Sequence, residues 1–172
     1  MSTPSLRLGL FLLLGLTGCG PKVAVTSVYE GVTYSFTDES ARAKFQAERE
    51  QSLYHRLGGK AAIEAAVDRF YVKVLADKRI NHFFEDVNMT TQQRKQKAFL
   101  SAAFGSPVAW KGKDMRHAHE DLKLTEAHFN AVAEDLQTTL EEMKVPPPLI
   151  AEVMAIAAST KDAVLNRKPT GK

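Results

Sequence analysis

From Ser52 onward the apolar residues fall at helical spacing and keep it nearly to the end of the chain. Leu53, Tyr54 and Leu57 predict a short helix closed by Gly58-Gly59, where glycine permits a sharp turn and a close helix approach. Ile63, Ala66, Val67, Phe70, Tyr71, Val74 and Leu75 recur at three and four residues, an amphipathic helix signature. Phe83-Phe84 fall in a loop or a single turn. Thr90 or Thr91 is placed to cap a helix carrying Ala98, Phe99, Ala102 and Ala103, which Gly105 ends. A loop with the sole tryptophan, Trp110, leads to a new helix opened by Met115, Arg116, His117, Ala118 and His119. Thr125 caps a further helix with Phe129, Val132, Ala133, Leu136, Leu140 and Met143 on its apolar side. Pro146-Pro147-Pro148 interrupt the chain and also start a last helix, because proline is tolerated in the first turn. It carries Ile150, Val153, Met154 and Ala157. The fold class is all-α, with about five or six helices in the main domain.

The pattern upstream is different. Residues 20–38 are rich in Val, Thr and Tyr and alternate around Glu30-Gly31, which fits either a small hairpin or a tether spacer. Asp38 to Glu50 is polar and helical, with Ser40 as a cap. Near the N-terminus, Arg7 precedes the apolar run Leu8 to Leu16, too short to cross a bilayer and typical of a signal peptide. The run ends in Leu16-Thr17-Gly18-Cys19, which resembles the lipobox of bacterial lipoproteins, in which the cysteine is acylated and becomes the first mature residue. An uncleaved anchor and an ordinary signal peptide are the alternatives. The resemblance implies lipidation at Cys19 and a membrane tether in the bacterial envelope. Gly20 in place of Asp points to the periplasm-facing outer membrane. The domains expected are a signal peptide over 1–18, a tether or extension over 19–50, the main domain over 51–166 and a tail over 167–172.

Composition changes this picture little. The 172 residues carry a formal charge of +3, dispersed along the chain, which argues against a nucleic-acid partner. With Cys19 the only cysteine, neither a disulfide nor haem attachment through Cys-x-x-Cys-His is available.

The candidate chemistry rests on histidine. No two of His55, His82, His117, His119 and His128 stand three or four residues apart, and His117 and His119 project to nearly opposite sides of a helix. A zinc site is therefore disfavoured. A single histidine beside an apolar pocket is what a haem needs, since the porphyrin supplies four ligands itself. Met115 and His119 share a helix face, with Arg116 and His117 pointing away. Spacing alone favours a plainer reading of His119 as a half-buried surface histidine. Tyr71 at the core-facing edge of its helix, and Gln96 among Phe99 and Leu100, would need polar partners if buried. They either bond each other or solvent, or face a ligand.

The segments SLYHRLGGKAAIEAAVDRFYVKVLAD, NHFFEDVNM, RKQKAFLSAAFGSP, DMRHAH, LTEAHFNAVAEDLQ and VPPPLIAEV together resemble the group I truncated haemoglobins, over about Ser52 to Val164. The resemblance implies a two-over-two helical sandwich around one non-covalent b-type haem. In it His119 matches the proximal iron ligand, and Tyr71 the distal tyrosine that hydrogen-bonds the gas. Gln96 matches the second distal polar residue and Gln92 the distal gate. Phe84 matches the phenylalanine wedged against the porphyrin, with Phe83 beside it. Met115 is a proximal haem contact, Leu100 a pocket position often filled by Phe, and Trp110 stands where many relatives carry Tyr. Lys95 and His82 are near enough in sequence to the distal side to be candidate sixth ligands. Residues 23–50 lie outside the resemblance.

These matches imply reversible binding of oxygen and other diatomic gases such as nitric oxide. A hydrogen bond to a charge-bearing ligand is worth about 1.5–3 kcal/mol, so distal donors imply slow oxygen release. Conversion of nitric oxide to nitrate is the enzymatic alternative. It needs an external reductase, because the sequence has no flavin or nicotinamide motif. A haem-free envelope adaptor of globin shape is the alternative of another class.

Overall fold

The computed structural model describes residues 25–168. The stretch read as a signal peptide and Cys19 lie outside the described residues, as does the end of the tail. The chain divides into two compact units, Met1–Arg42 and Ala43–Lys172.

In the first unit β1 (Val25–Tyr29) pairs antiparallel with β2 (Val32–Phe36), in a register running from Val25↔Phe36 to Tyr29↔Val32. Glu30 at φ 49 and Gly31 at φ 80 form the two-residue turn, the left-handed pair that suits strand twist. Over Val25–Phe36 this stretch forms the expected hairpin. Helix α1 (Glu39–Gln51) begins in this unit and runs into the second. Its cap is Asp38, whose carboxylate accepts from the Ala41 amide at 2.8 Å, and not Ser40. A carboxylate at that end bonds the free amides and also meets the positive end of the helix dipole.

The second unit is helical throughout. Helices α2 (Leu53–Arg56), α3 (Gly59–Ala76), α4 (Met89–Ala103), α5 (Met115–His119), α6 (Glu126–Glu142), α7 (Pro147–Ser159) and α8 (Lys161–Val164) follow in order, with a 3-10 turn over Asn81–Phe84. Helix α3 packs on both α4 and α6, α6 on α7, and α5 on α8. The pairs α3/α4 and α6/α7 make the expected two-over-two sandwich. Tyr54, Val67, Val74, Ile80 and Val153 are its most deeply buried large side chains. Leu75, assigned by periodicity to the buried stripe, stands 41% exposed, because Phe70, Tyr71 and Val74 already fill the inward face.

The caps show how local competition settles helix ends. Asn88, and neither Thr90 nor Thr91, caps α4, its side chain accepting from the Thr91 amide at 2.9 Å. Thr125 caps α6 as expected, and His128 returns the bond through Nδ1 to the Thr125 amide. Pro147 opens α7 after Pro146. The last predicted helix is broken at Thr160, and its final turn becomes α8.

Candidate functional site

Tyr71 is the centre of one group of candidate residues. The inward face of α3 leaves it 3% exposed. Its ring meets Phe70 edge-on at 5.3 Å between centroids and Phe84 edge-on at 5.9 Å. Phe84 reaches it from the 3-10 turn and Gln92 from the first turns of α4. The Gln92 Nε2 donates to the phenol oxygen at 3.2 Å. Burial raises the phenol above its ordinary pKa, against a smaller opposing effect of the Gln92 bond, so it stays protonated at neutral pH. Because Gln92 occupies the oxygen as an acceptor, the Tyr71 proton remains free to be donated elsewhere.

The sequence singled out Gln96 as the amide nearest this group in kind. The structure pairs Tyr71 with Gln92 instead. Gln96 lies one turn further along α4, half-buried and without a hydrogen-bond partner among the described residues. Lys95 is exposed. His82 stacks on Phe83 at 4.1 Å between centroids and lies 6.0 Å from His128. Phe83 thus packs towards His82 and His128, while Phe84 alone of the pair meets Tyr71.

A second group of candidate residues lies on α5. Asp114 caps it, accepting from the His117 amide at 2.9 Å. The His117 Nδ1 also meets the Asp114 carboxylate at 2.7 Å, so His117 is held at the surface. His119 is half-buried, and its Nδ1 lies 2.7 Å from the Met115 carbonyl oxygen. A ring nitrogen facing a carbonyl carries the proton. This sets the tautomer and leaves the Nε2 lone pair free to bind a metal. The shared face of Met115 and His119 is therefore real, but the contact runs through the Met115 backbone.

Between α4 and α5 the chain is held by Trp110. Its Nε1 donates to the Lys113 carbonyl at 2.9 Å, and its ring stands edge-on to Phe99 at 5.9 Å. Gly112 lies directly under the indole: a Cβ there would sit 1.9 Å from Cζ2. Leu100 faces away from the Tyr71 group. It lines an apolar cavity of about 260 Å³ with Ile63, Ala66, Leu140 and Val153, and Arg56 and Lys144 also border it.

The donor set has a defined chemistry. Among the described residues no three His, Cys, Asp or Glu side chains gather to hold an ion. A metal that brings four nitrogens of its own needs only one more protein ligand, and His119 offers an imidazole nitrogen in the correct tautomer. The residues thus fit a haem.

The domain is a small all-α sandwich carrying one tautomer-fixed histidine and a buried tyrosine–glutamine pair. The sequence profile of bacterial-like globins matches residues 52–166, and the chain belongs to that family. It is 53% identical over 117 residues to a group 1 truncated hemoglobin of Chlamydomonas moewusii, covering 67% of this chain and 68% of that one. It is 52% identical over 122 residues to the group 1 truncated hemoglobin GlbN of Synechocystis sp., covering 67% and 98%. The 2/2 hemoglobin of a Synechococcus species, solved in the cyanomet state with covalently attached heme, superposes with a TM-score of 0.66 at 48% identity, covering 67% of this chain and 99% of that one. The truncated hemoglobin of Tetrahymena pyriformis superposes at 0.65 with 41% identity, covering 67% and 98%. That protein was also solved with a tyrosine changed to Phe and with either of two glutamines changed to Glu. The first of those glutamines stands 21 residues after the tyrosine, the separation of Tyr71 and Gln92 here.

The Asn88 cap and the Gln92 partnership were missed by sequence reasoning. Asn88 had a readable signal, since asparagine directly before a helix is a strong cap. Gln92 had been assigned only by resemblance.

Proposed function

We propose that this chain is a haem-binding globin that reversibly binds oxygen, and other diatomic gases such as nitric oxide, on the face watched by Tyr71. The cofactor is a haem, and when bound it supplies the iron at which a gas is held. His119 Nε2 is the proximal ligand, oriented by the Met115 carbonyl. Phe84, Met115 and Trp110 are the expected contacts of the haem, while Leu100 borders the separate apolar cavity. The observation that carries the reading is the Tyr71 hydroxyl: buried, protonated, and with its oxygen already taken by Gln92, so its proton is directed to a ligand. A purified, reduced protein should show a haem Soret band that shifts reversibly with oxygen. His119→Ala should abolish the five-coordinate histidine spectrum. A folded, colourless protein that ignores added haemin would refute the proposal in favour of a haem-free adaptor.

The slow release expected from the Tyr71 donor favours chemistry or sensing over bulk delivery, and the second activity is then conversion of nitric oxide to nitrate with electrons from an external reductase. Sustained nitrate production under a supplied electron donor tests it; a single stoichiometric burst under every donor would refute it.

The N-terminal pattern supports a lipid tether at Cys19 in the bacterial envelope, at the periplasmic face of the outer membrane. No helix among the described residues is long and apolar enough to cross a membrane. Several acyl chains at about 0.8 kcal/mol per buried CH₂ give a long-lived anchor. Cys19→Ser should move the protein from the membrane to the soluble fraction; unchanged membrane association would refute the tether.

A further inference from the structure

We infer that Glu126, Arg167 and Arg116 are positioning residues for His119, acting through the C-terminal turn; this rests on the reading of His119 as proximal ligand. Helix α5 has five residues and α8, its packing partner, has four. Helices this short do not hold themselves in water, so the direction of the His119 ring depends on what fastens them.

The fastening can be followed atom by atom. The Arg116 Nη2 donates to the backbone carbonyl of Arg167 at 2.7 Å. It ties α5 to the segment that follows α8. The accepting carbonyl is held by a helix-ending motif. Asn166 takes φ 52, the Arg167 amide returns to the Asp162 carbonyl at 2.9 Å, and the Asn166 amide returns to Ala163 at 3.2 Å. Asparagine tolerates that left-handed conformation better than most side chains. The Arg167 guanidinium then pairs with the Glu126 carboxylate and lies 3.8 Å from Asp162. Lys161 meets the other Glu126 oxygen at 3.5 Å, and its ammonium also stands 5.6 Å from the Phe129 ring centroid. Glu126 is the first residue of α6, where a carboxylate is favoured by the helix dipole.

A continuous chain of polar contacts therefore runs from α6, a helix of the sandwich, to α5. Its side chains are 45% and 54% exposed at Arg167 and Glu126, so each pair is individually weak and screened by salt. Its loss should appear as local loosening of α5 with the sandwich intact.

The test uses Glu126→Gln, Arg167→Ala and Arg167→Lys in the full chain. In the haem-free protein, amide exchange at α5, read at the Ala118 amide that donates to Asp114, should quicken roughly two- to fivefold in the first two variants. It should be partly restored in Arg167→Lys and unchanged in the middle of α3. About 0.5 M salt should shrink the difference from wild type. In the reduced, haem-loaded protein the iron–histidine stretching band should broaden or shift in Glu126→Gln. Exchange at α5 equal to wild type, or acceleration spread evenly over α3, would overturn the positioning role. Absence of the iron–histidine band from the wild-type protein would instead overturn the assignment of His119, and the exchange data would still decide whether α5 is fastened this way.

Discussion

Replacing Tyr71 with Phe removes one oxygen atom from a site that is otherwise apolar on two sides, against Phe70 and Phe84. The phenol is 3% exposed, so no bulk water replaces its hydrogen bond. A donor facing a charge-bearing gas ligand in such a setting contributes about 1.5–3 kcal/mol. If that term is lost wholly from the bound state, oxygen should leave roughly ten- to hundredfold faster, at 1.4 kcal/mol per factor of ten. Part of the loss can be recovered, because Gln92, freed from the phenol at 3.2 Å, becomes available as a donor itself. The lower end of the range is therefore expected for the single variant and the upper end for Tyr71→Phe combined with Gln92→Leu. Stopped-flow displacement of oxygen by carbon monoxide measures the rate. Carbon monoxide, which carries less charge, should be affected much less. An oxygen release rate within twofold of wild type in both variants would refute the idea that the Tyr71 proton is committed to the ligand.

Gln92→Glu tests the direction of the same hydrogen bond. A carboxylate there would accept the Tyr71 proton that the amide now leaves free, so oxygen release should quicken as in Tyr71→Phe, while Gln96→Glu, at a residue not hydrogen-bonded to Tyr71, should act less; equal effects would contradict this. Gly112→Ala puts a Cβ 1.9 Å from the Trp110 ring and must push the indole off Phe99, so emission from this sole tryptophan should shift to the red in the haem-free protein. Asp135 has a buried carboxylate oxygen without a partner, and burial, with Asp77 nearby, raises its carboxyl above the ordinary 3.8. A raised carboxyl means the charged form opposes folding. Asp135→Asn should therefore stabilise by on the order of 0.5–1 kcal/mol near pH 7, an advantage that fades as pH falls through the raised value towards 3.8. Urea unfolding at pH 7 and pH 3 checks both the sign and its disappearance.

Local rules made much of the helical order legible before any coordinates. The three-and-four spacing along α3, the Thr125 cap and the proline entry to α7 all depend on neighbours within a turn or two, and all are present. At α4 Thr90 or Thr91 was the expected cap, but Asn88, directly before the first helical residue, makes it. Leu75 shows the limit of periodicity, since a stripe records which side is apolar but not how wide the neighbouring helix is.

For the candidate site, residues can be named from the chain, but which of them touch is set by packing. The resemblance named Tyr71, Gln92, Gln96 and His119, and helix geometry separated His119 from His117. That Tyr71 takes its bond from Gln92 depends on how far α4 slides along α3, and a shift of one turn would have brought Gln96 instead. The contact from Arg116 to Arg167 spans 51 residues, and nothing in either neighbourhood announces it. Hydrophobic periodicity acts over a few residues and is written in the chain. Hydrogen bonds between distant segments need donor and acceptor placed to within a few tenths of an ångström, and only the packed core supplies that precision.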